Sequence, residues 1–204
     1  MSQWSYENAF VCARKVSESL SRFCPNFPRP VESIIDYVSD HLKVTRGKFI
    51  PINFHPRIYE ARTFYGTIED CENKVDIYYD LNRNRCWKRF IIVKELCQLL
   101  YSSSDDLHLS SSVEEIDSLL SQILAGIATT QAATSEHAAI VIAIEVLLPH
   151  SERQNVNKMI QNKGDAMTVA KHYLLPAQMV SYYLHNNYSD MADKAAKIDL
   201  SPRT

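Results

Sequence analysis

The sequence predicts an α+β domain that is mostly helical and contains a small antiparallel sheet. Apolar residues recur at helical spacing before residue 43 and after residue 85, which indicates helices in both parts of the chain. Between them lie short runs of β-branched and aromatic residues separated by turn-forming residues, which indicate strands. Helices, then strands, then helices is an order typical of α+β domains.

The composition is that of an ordinary globular protein, and the length suggests one domain, or one domain with a small appendage. The 204 residues are 46% hydrophobic and 23% charged. A chain of this length buries roughly 70% of its extended surface on folding, so it needs neither a metal nor a disulfide to fold. The formal net charge of −2 gives no basic footprint for nucleic acid or for an acidic membrane.

The cysteines and the N-terminus both predict a cytoplasmic protein. The five cysteines are odd in number and form no CxxC pair, which is typical of reduced thiols. The opening residues, MSQWSYENAF, lack the apolar core of a signal peptide. The longest apolar run, residues 138–149, contains Glu145 and is too short to span a bilayer.

Two helices are predicted first. Residues 5–23 carry apolar side chains at helical spacing, and the proline-rich segment 24–30 ends that helix. Pro30 suits the first turn of a second helix, whose apolar side chains are Val31, Ile34, Ile35, Val38 and Leu42. We assign residues 1–27 as an N-terminal helix that precedes the main domain.

Three strands are predicted next, from the segments KFIPINF (48–54), ARTFYG (61–66) and KVDIYYD (74–80). Pro51 has no backbone N–H to donate, which makes the first segment an edge strand.

The remaining chain is predicted to be helical up to a loose tail over residues 188–204. Ser112 and Glu115 form a capping box for a helix that continues through Leu124. The other helices are predicted over residues 86–101, 135–148, 151–161, 165–173 and 176–187.

The segment CWKRFIIVKELCQLLY (86–101) is apolar on nearly every side except for one stripe, formed by Lys94, Glu95 and Gln98. A helix this apolar is buried, so its stripe faces either a cavity or paired polar groups. The alternative is that the stripe is the solvent face of a core helix. Spacing alone favours this alternative, because charged residues are almost never fully buried unless paired.

The part RFIIVKELCQLL of this segment resembles the RFTIAHELGHLL-type segment of the ImmA/IrrE metallopeptidase-like family. In that family an HExxH motif supplies two zinc-binding histidines and a glutamate that polarises water. This chain keeps Glu95 and Leu96, but it has Lys94 and Gln98 in place of the histidines and Cys97 in place of the glycine.

A second segment, EHAAIVIAIEVLLP (136–149), resembles the family's ExxAnxFAxeLLmP helix, which begins with the third zinc ligand. The resemblance places Glu136 at the ligand position and Glu145 at the internal glutamate. These two residues are nine apart, hence on opposite helix faces, so only one of them can face the site. The flanking segments also resemble the family in order, over roughly residues 28–185, and we delimit a zincin-like domain as residues 28–187.

The departures from the motif predict a site without metal, cofactor or catalytic residues. Zinc binds neutral imidazole, thiolate or carboxylate, so replacing both histidines leaves Glu136 as the one surviving ligand. The degenerate remnant comprises Lys94, Glu95, Gln98 and Glu136. We expect the Lys94 ammonium within roughly 4 Å of Glu136 or Glu95, with Gln98 hydrogen-bonded to one of the same carboxylates.

The neighbouring cysteine and histidines are not expected to replace the lost metal ligands. Cys97 lies about 100° around the helix from Gln98 and is expected to be a core thiol. His137 is expected to flank the site, and His150 to be exposed. No local signature ties a cysteine and a histidine into a nucleophilic enzyme. Residues 169–184 suggest a helix–turn–helix, but the second helix lacks the lysines and arginines of a DNA reader, so packing helices are predicted.

Three functions follow from the resemblance. The first is a pseudoenzyme that regulates or binds a protein partner, such as a helix–turn–helix repressor of a phage or mobile element, without binding nucleic acid or a membrane itself. The second is an active metallopeptidase with non-standard metal ligands. The third is a structural subunit whose outer surface forms an oligomer.

Overall fold

The fold is seen in a computed structural model, which describes residues 6–58, 66–101, 131–162 and 164–198, with isolated helical positions at 118, 121, 122 and 125. The elements in chain order are α1 (Tyr6–Ser21), α2 (Val31–Arg46), β1 (Ile52–Arg57), β2 (Gly66–Cys71), β3 (Lys74–Asp80), α3 (Arg85–Tyr101), α4 (Gln131–Leu147), α5 (Arg153–Gln161), α6 (Ala166–Tyr173), α7 (Ala177–Tyr183) and α8 (Asn186–Ala196). A single turn of 3₁₀ helix, His150–Glu152, joins α4 to α5. The predicted α+β class, mostly helical with a small sheet, is confirmed.

The sheet has the strand order β1-β3-β2, and it is mixed. β2 and β3 pair antiparallel, as predicted for the sheet, but residues 67–71 of β2 were not predicted as a strand. β1 runs parallel to β3, with Ile52 opposite Val75. The prediction of an antiparallel sheet is therefore wrong for this pair. Turn-forming residues in the sequence indicate an antiparallel pair only where the turn is tight, as it is between β2 and β3. The connection between β1 and β2 is longer, so it allows β1 to pair with the other side of β3 in a parallel direction. β1 is an edge strand, as Pro51 predicts.

The two motif helices form the centre of the fold. α3 packs against the sheet, α2 and α4, while α4 packs against α3 and α1. Every side chain from Glu136 to Pro149 is buried, so α4 is enclosed on all sides from Glu136 onward. This burial follows from its sequence, because a helix that is apolar all round must be covered by neighbours.

The first and last helices, α1 and α8, contribute to the same core. α1 buries Phe10 and Val16 against α4 and α8. The predicted loose tail over residues 188–204 is wrong for its first part, since α8 extends to Ala196. Tyr188, Ala192 and Ala195 are buried on one face of α8. Their helical spacing is the signal that the sequence analysis overlooked.

Some predictions concern residues that the structure does not describe. The capping box at Ser112 and Glu115 lies outside the described residues, as does most of the second predicted strand, of which only Gly66 is described. In the described part of the chain, no helix is long and apolar enough to cross a membrane.

Candidate functional site: a buried ion-pair cluster

A cluster of four polar side chains lies between α3 and α4. Lys94, Glu95, Gln98 and Glu136 are all buried, with at most 4% of any of them exposed. The solvent-face alternative for the α3 stripe is therefore wrong. The structure brings together all four residues of the predicted degenerate motif.

The predicted ion pair is present. Nζ of Lys94 lies 2.5 Å from Oε1 of Glu136 and 2.9 Å from Oε1 of Glu95. Gln98 donates a hydrogen bond from Nε2 to Oε2 of Glu136. The turn spacing of α3 makes this possible, because residues four apart share a helix face and can reach one partner together. One carboxylate on α4 thus accepts from two side chains on α3.

The charges in this cluster are set by burial and by close opposite charges. Burial alone would lower the pKa of Lys94, but Glu136 and Glu95 outweigh it and hold that pKa above its usual value. Burial raises the pKa of Glu95, with Lys94 opposing the shift and Glu136 adding to it. Lys94 is therefore a charged ammonium, and it donates a hydrogen bond to the carboxylate of Glu136.

The carboxylate of Glu95 has fewer hydrogen-bond partners than that of Glu136. Among the described residues, neither of its oxygens has a hydrogen-bond partner of good geometry, although Lys94 lies close to one of them. Strand β2 closes this side of the cluster through Gly66. A Cβ atom added to Gly66 would lie 3.2 Å from Oε1 of Glu95 and even closer to Cγ2 of Ile91. Glycine is needed at this position because the backbone of β2 approaches α3 closely, and nothing in the local sequence indicates this role for Gly66.

The cluster does not fit the zinc ion that the family resemblance implies. An ammonium group occupies the space between the two carboxylates, and an ammonium has no lone pair to give a metal. Within the described residues, no group of three or more histidine, cysteine, aspartate or glutamate side chains could hold a metal ion.

Three neighbouring residues were considered as replacements for the lost metal ligands, and each has its own surroundings. Cys97 is buried, and burial raises the pKa of its thiol well above the usual value, as expected of a core thiol. His137 is buried beside Glu136. The expectation that His150 is exposed is wrong. Its ring is about one quarter exposed and lies 2.9 Å from Oδ1 of Asp193. Asp193 belongs to α8, the helix that the sequence analysis did not predict, so this contact could not be anticipated.

The two glutamates of α4 have different surroundings, as their spacing predicts. Glu136 belongs to the ion-pair cluster. Glu145 instead accepts hydrogen bonds from the backbone N–H of His150 at 2.8 Å and from the hydroxyl of Tyr188 at 3.1 Å.

Two buried arginines that the sequence analysis did not identify hold the helices around the cluster together. Arg29 donates to the carbonyl oxygen of Val146 at 2.7 Å and to the hydroxyl of Ser21 at 2.6 Å. Arg89 donates to the carbonyl oxygen of Tyr173 at 3.1 Å and to that of Arg29. Arginine is mostly exposed in proteins, so composition and spacing give no signal for this role.

Comparison with protein-family models finds no match to the chain, and comparison with curated proteins finds none either.

Proposed function

We propose that this protein is a catalytically inactive, metallopeptidase-like regulator that binds a protein partner in the cytoplasm. The observation that carries the proposal is the position of the Lys94 ammonium, between the carboxylates of Glu95 and Glu136. The family resemblance assigns this place to a divalent cation.

The sum of the charges on Lys94, Glu95 and Glu136 supports a cleft that is stable without metal. A buried carboxylate without a partner is costly, and a divalent cation would normally offset that cost. Lys94 supplies one positive charge, which matches the charge of Glu136, while burial favours the protonated form of Glu95. The cluster thus approaches neutrality with its own side chains.

The same arrangement is unsuited to peptide hydrolysis. An ammonium cannot coordinate and acidify a water molecule as zinc does. The pKa of Cys97 is raised, so this thiol is not an activated nucleophile either. A binding function remains, and the resemblance suggests the partner: a helix–turn–helix repressor of a phage or mobile element, bound without being cut.

The first test measures metal. Protein purified without a histidine tag should contain no stoichiometric zinc by mass spectrometry, and a chelator should leave its Tm unchanged, since metal-dependent folds lose stability on chelation. One equivalent of tightly bound zinc would instead support the alternative of an active peptidase with non-standard ligands.

The second test measures the partner directly. A helix–turn–helix repressor encoded beside the gene of this protein should bind the purified chain in a calorimetric titration. Mass spectrometry should find the repressor intact after prolonged incubation. Cleavage of the repressor would overturn the assignment as a pseudoenzyme. The lack of any complex at concentrations up to roughly 100 μM would favour a structural subunit instead.

A further inference from the structure

A second site lies apart from the ion-pair cluster, between α1, the C-terminal end of α4 and α8. It is a cavity of about 660 Å³. Ligand pockets for small organic molecules have volumes of roughly 300–1,000 Å³. Its apolar wall includes Phe10, Pro149 and Ala192, and its polar groups include Glu145 and His150. Glu145 is nine residues beyond Glu136, which places it roughly 13 Å further along α4.

Glu145 is the buried ionisable group of this cavity. Only 5% of the residue is exposed. Its carboxyl group accepts hydrogen bonds from the backbone of His150 and from the hydroxyl of Tyr188, and both donors are neutral. Among the described residues, no cation lies within ion-pair distance of Glu145. The carboxylate therefore lacks the positive partner that Glu136 finds in Lys94.

The cations around Glu145 are already engaged. Arg153, whose charge acts on Glu145, donates to the carbonyl oxygen of Tyr183 at 3.1 Å, and Arg14 lines the cavity. Arg14 donates from its terminal nitrogens to three carbonyl oxygens at the end of α8, those of Ala195, Ala196 and Ile198. Nε of the same guanidinium lies 3.2 Å from Glu18. Arg14 thus caps the C-terminal end of α8 and does not neutralise Glu145.

We propose that this cavity binds a small primary amine, whose ammonium group pairs with the carboxylate of Glu145. Its apolar body packs against Phe10, Pro149 and Ala192. An ammonium supplies the buried carboxylate with the positive charge and the hydrogen-bond donors that a buried anion requires. The proposal does not depend on the proposed regulatory function, because it concerns different residues.

The probe for this site is 3-phenylpropylamine, with 3-phenylpropan-1-ol as its neutral twin of nearly equal size. In calorimetric titrations at pH 8, the amine should bind with a Kd of roughly 0.1–1 mM, which is typical of a ligand this small. The alcohol should bind at least tenfold more weakly. Equal binding of the two would overturn the proposal, since the cavity would then recognise only the apolar body.

Three variants test whether the amine binds in this cavity beside Glu145. Glu145→Gln keeps the size of the side chain and its acceptor oxygen but removes the charge, so it should weaken amine binding at least tenfold. Ala196→Trp fills the cavity from an exposed position and should abolish binding without altering Glu145. Glu18→Gln removes an exposed carboxylate at the same cavity and should leave the Kd within twofold. This control separates pairing with Glu145 from a general attraction to negative charge.

Several outcomes would overturn the site. If Glu145→Gln folds and binds the amine as well as the unaltered chain does, Glu145 is not the counter-ion. If Glu145→Gln does not fold, the Ala196→Trp titration still decides, because unchanged binding there would place the amine elsewhere. A peptide with one lysine between alanines that binds more tightly than 3-phenylpropylamine would also contradict a small-molecule ligand.

Discussion

Nζ of Lys94 lies 2.5 Å from Oε1 of Glu136, and this contact joins the two central helices of the fold inside the core. Neither side chain exposes more than 5% of its surface. A pair this deeply buried is not a strong source of stability as a whole, because desolvation of both charges offsets their attraction. Removing only one member is costly, since the other charge then remains buried without a partner.

Replacing Lys94→Met should lower the free energy of unfolding by about 3–5 kcal/mol, as is typical when one partner of a buried ion pair is lost. Urea denaturation measures this change. Lys48→Met is the matched control, because Lys48 forms an exposed pair with Glu72. Exposed pairs of this kind contribute little, so the control should denature at nearly the same urea concentration as the unaltered chain.

The double variant Lys94→Met/Glu136→Gln should lose less stability than the sum of the two single changes. Contacting charges are coupled, and removing both leaves no unpaired ion in the core. Strict additivity in the urea series would mean that the two side chains do not interact in solution.

Restoring the two motif histidines tests whether the cleft keeps a metal-binding geometry. The double change Lys94→His/Gln98→His should give the protein measurable affinity for zinc, since two imidazoles would then face Glu136. Each single change should give none, because two protein ligands rarely hold zinc. Calorimetric titration with zinc measures the affinity, and adding Glu136→Gln to the double variant should remove it. A folded double variant that binds no zinc would contradict the resemblance.

The central helices could be predicted from the sequence because their physical signal is local. The polar stripe of α3 was ambiguous in the sequence, since spacing alone favoured the solvent face. The family resemblance predicted that the stripe is buried and that Glu136 is its partner. The parallel pairing of β1 could not be predicted, since register and direction depend on contacts with β3 that are distant in the sequence. The role of Arg29 was missed for a similar reason, as its acceptor on Val146 is remote in the chain.

Gly66 should tolerate no larger residue. The Cβ of Gly66→Ala would lie closer than van der Waals contact to Cγ2 of Ile91 and 3.1 Å from the carbonyl oxygen of Tyr78. Overpacking of this kind lowers the free energy of unfolding by about 1–3 kcal/mol. Adding Ile91→Met removes the Cγ2 methyl group and should restore part of the loss in urea denaturation. If Ile91→Met worsens the variant, the close approach to α3 is not the cause.

Glu145 provides a pH-dependent contribution to stability. Burial raises its pKa from 4.5 to about 7, against hydrogen bonds from His150 and Tyr188 and the charge of Arg153, which lower it. The folded protein therefore holds a proton on Glu145 more tightly than the unfolded chain does. Because the folded state binds more protons over this range, the free energy of unfolding falls as pH rises.

The contribution of Glu145 is fully present below about pH 4.5 and is lost as pH rises through about 7, above which it stays constant. The loss over this window should be on the order of 3 kcal/mol, at 1.36 kcal/mol for each pKa unit. Glu145→Gln cannot titrate, so the stability of this variant relative to the unaltered chain should rise across the same window. Urea denaturation of both proteins at pH 4.5, 6, 7 and 8 measures this difference. Taking the difference removes the contribution of titrating groups that both proteins share. Glu18→Gln, which alters an exposed carboxylate, should show no such trend. Parallel pH profiles for Glu145→Gln and the unaltered chain would mean that water reaches Glu145 and that its pKa is ordinary.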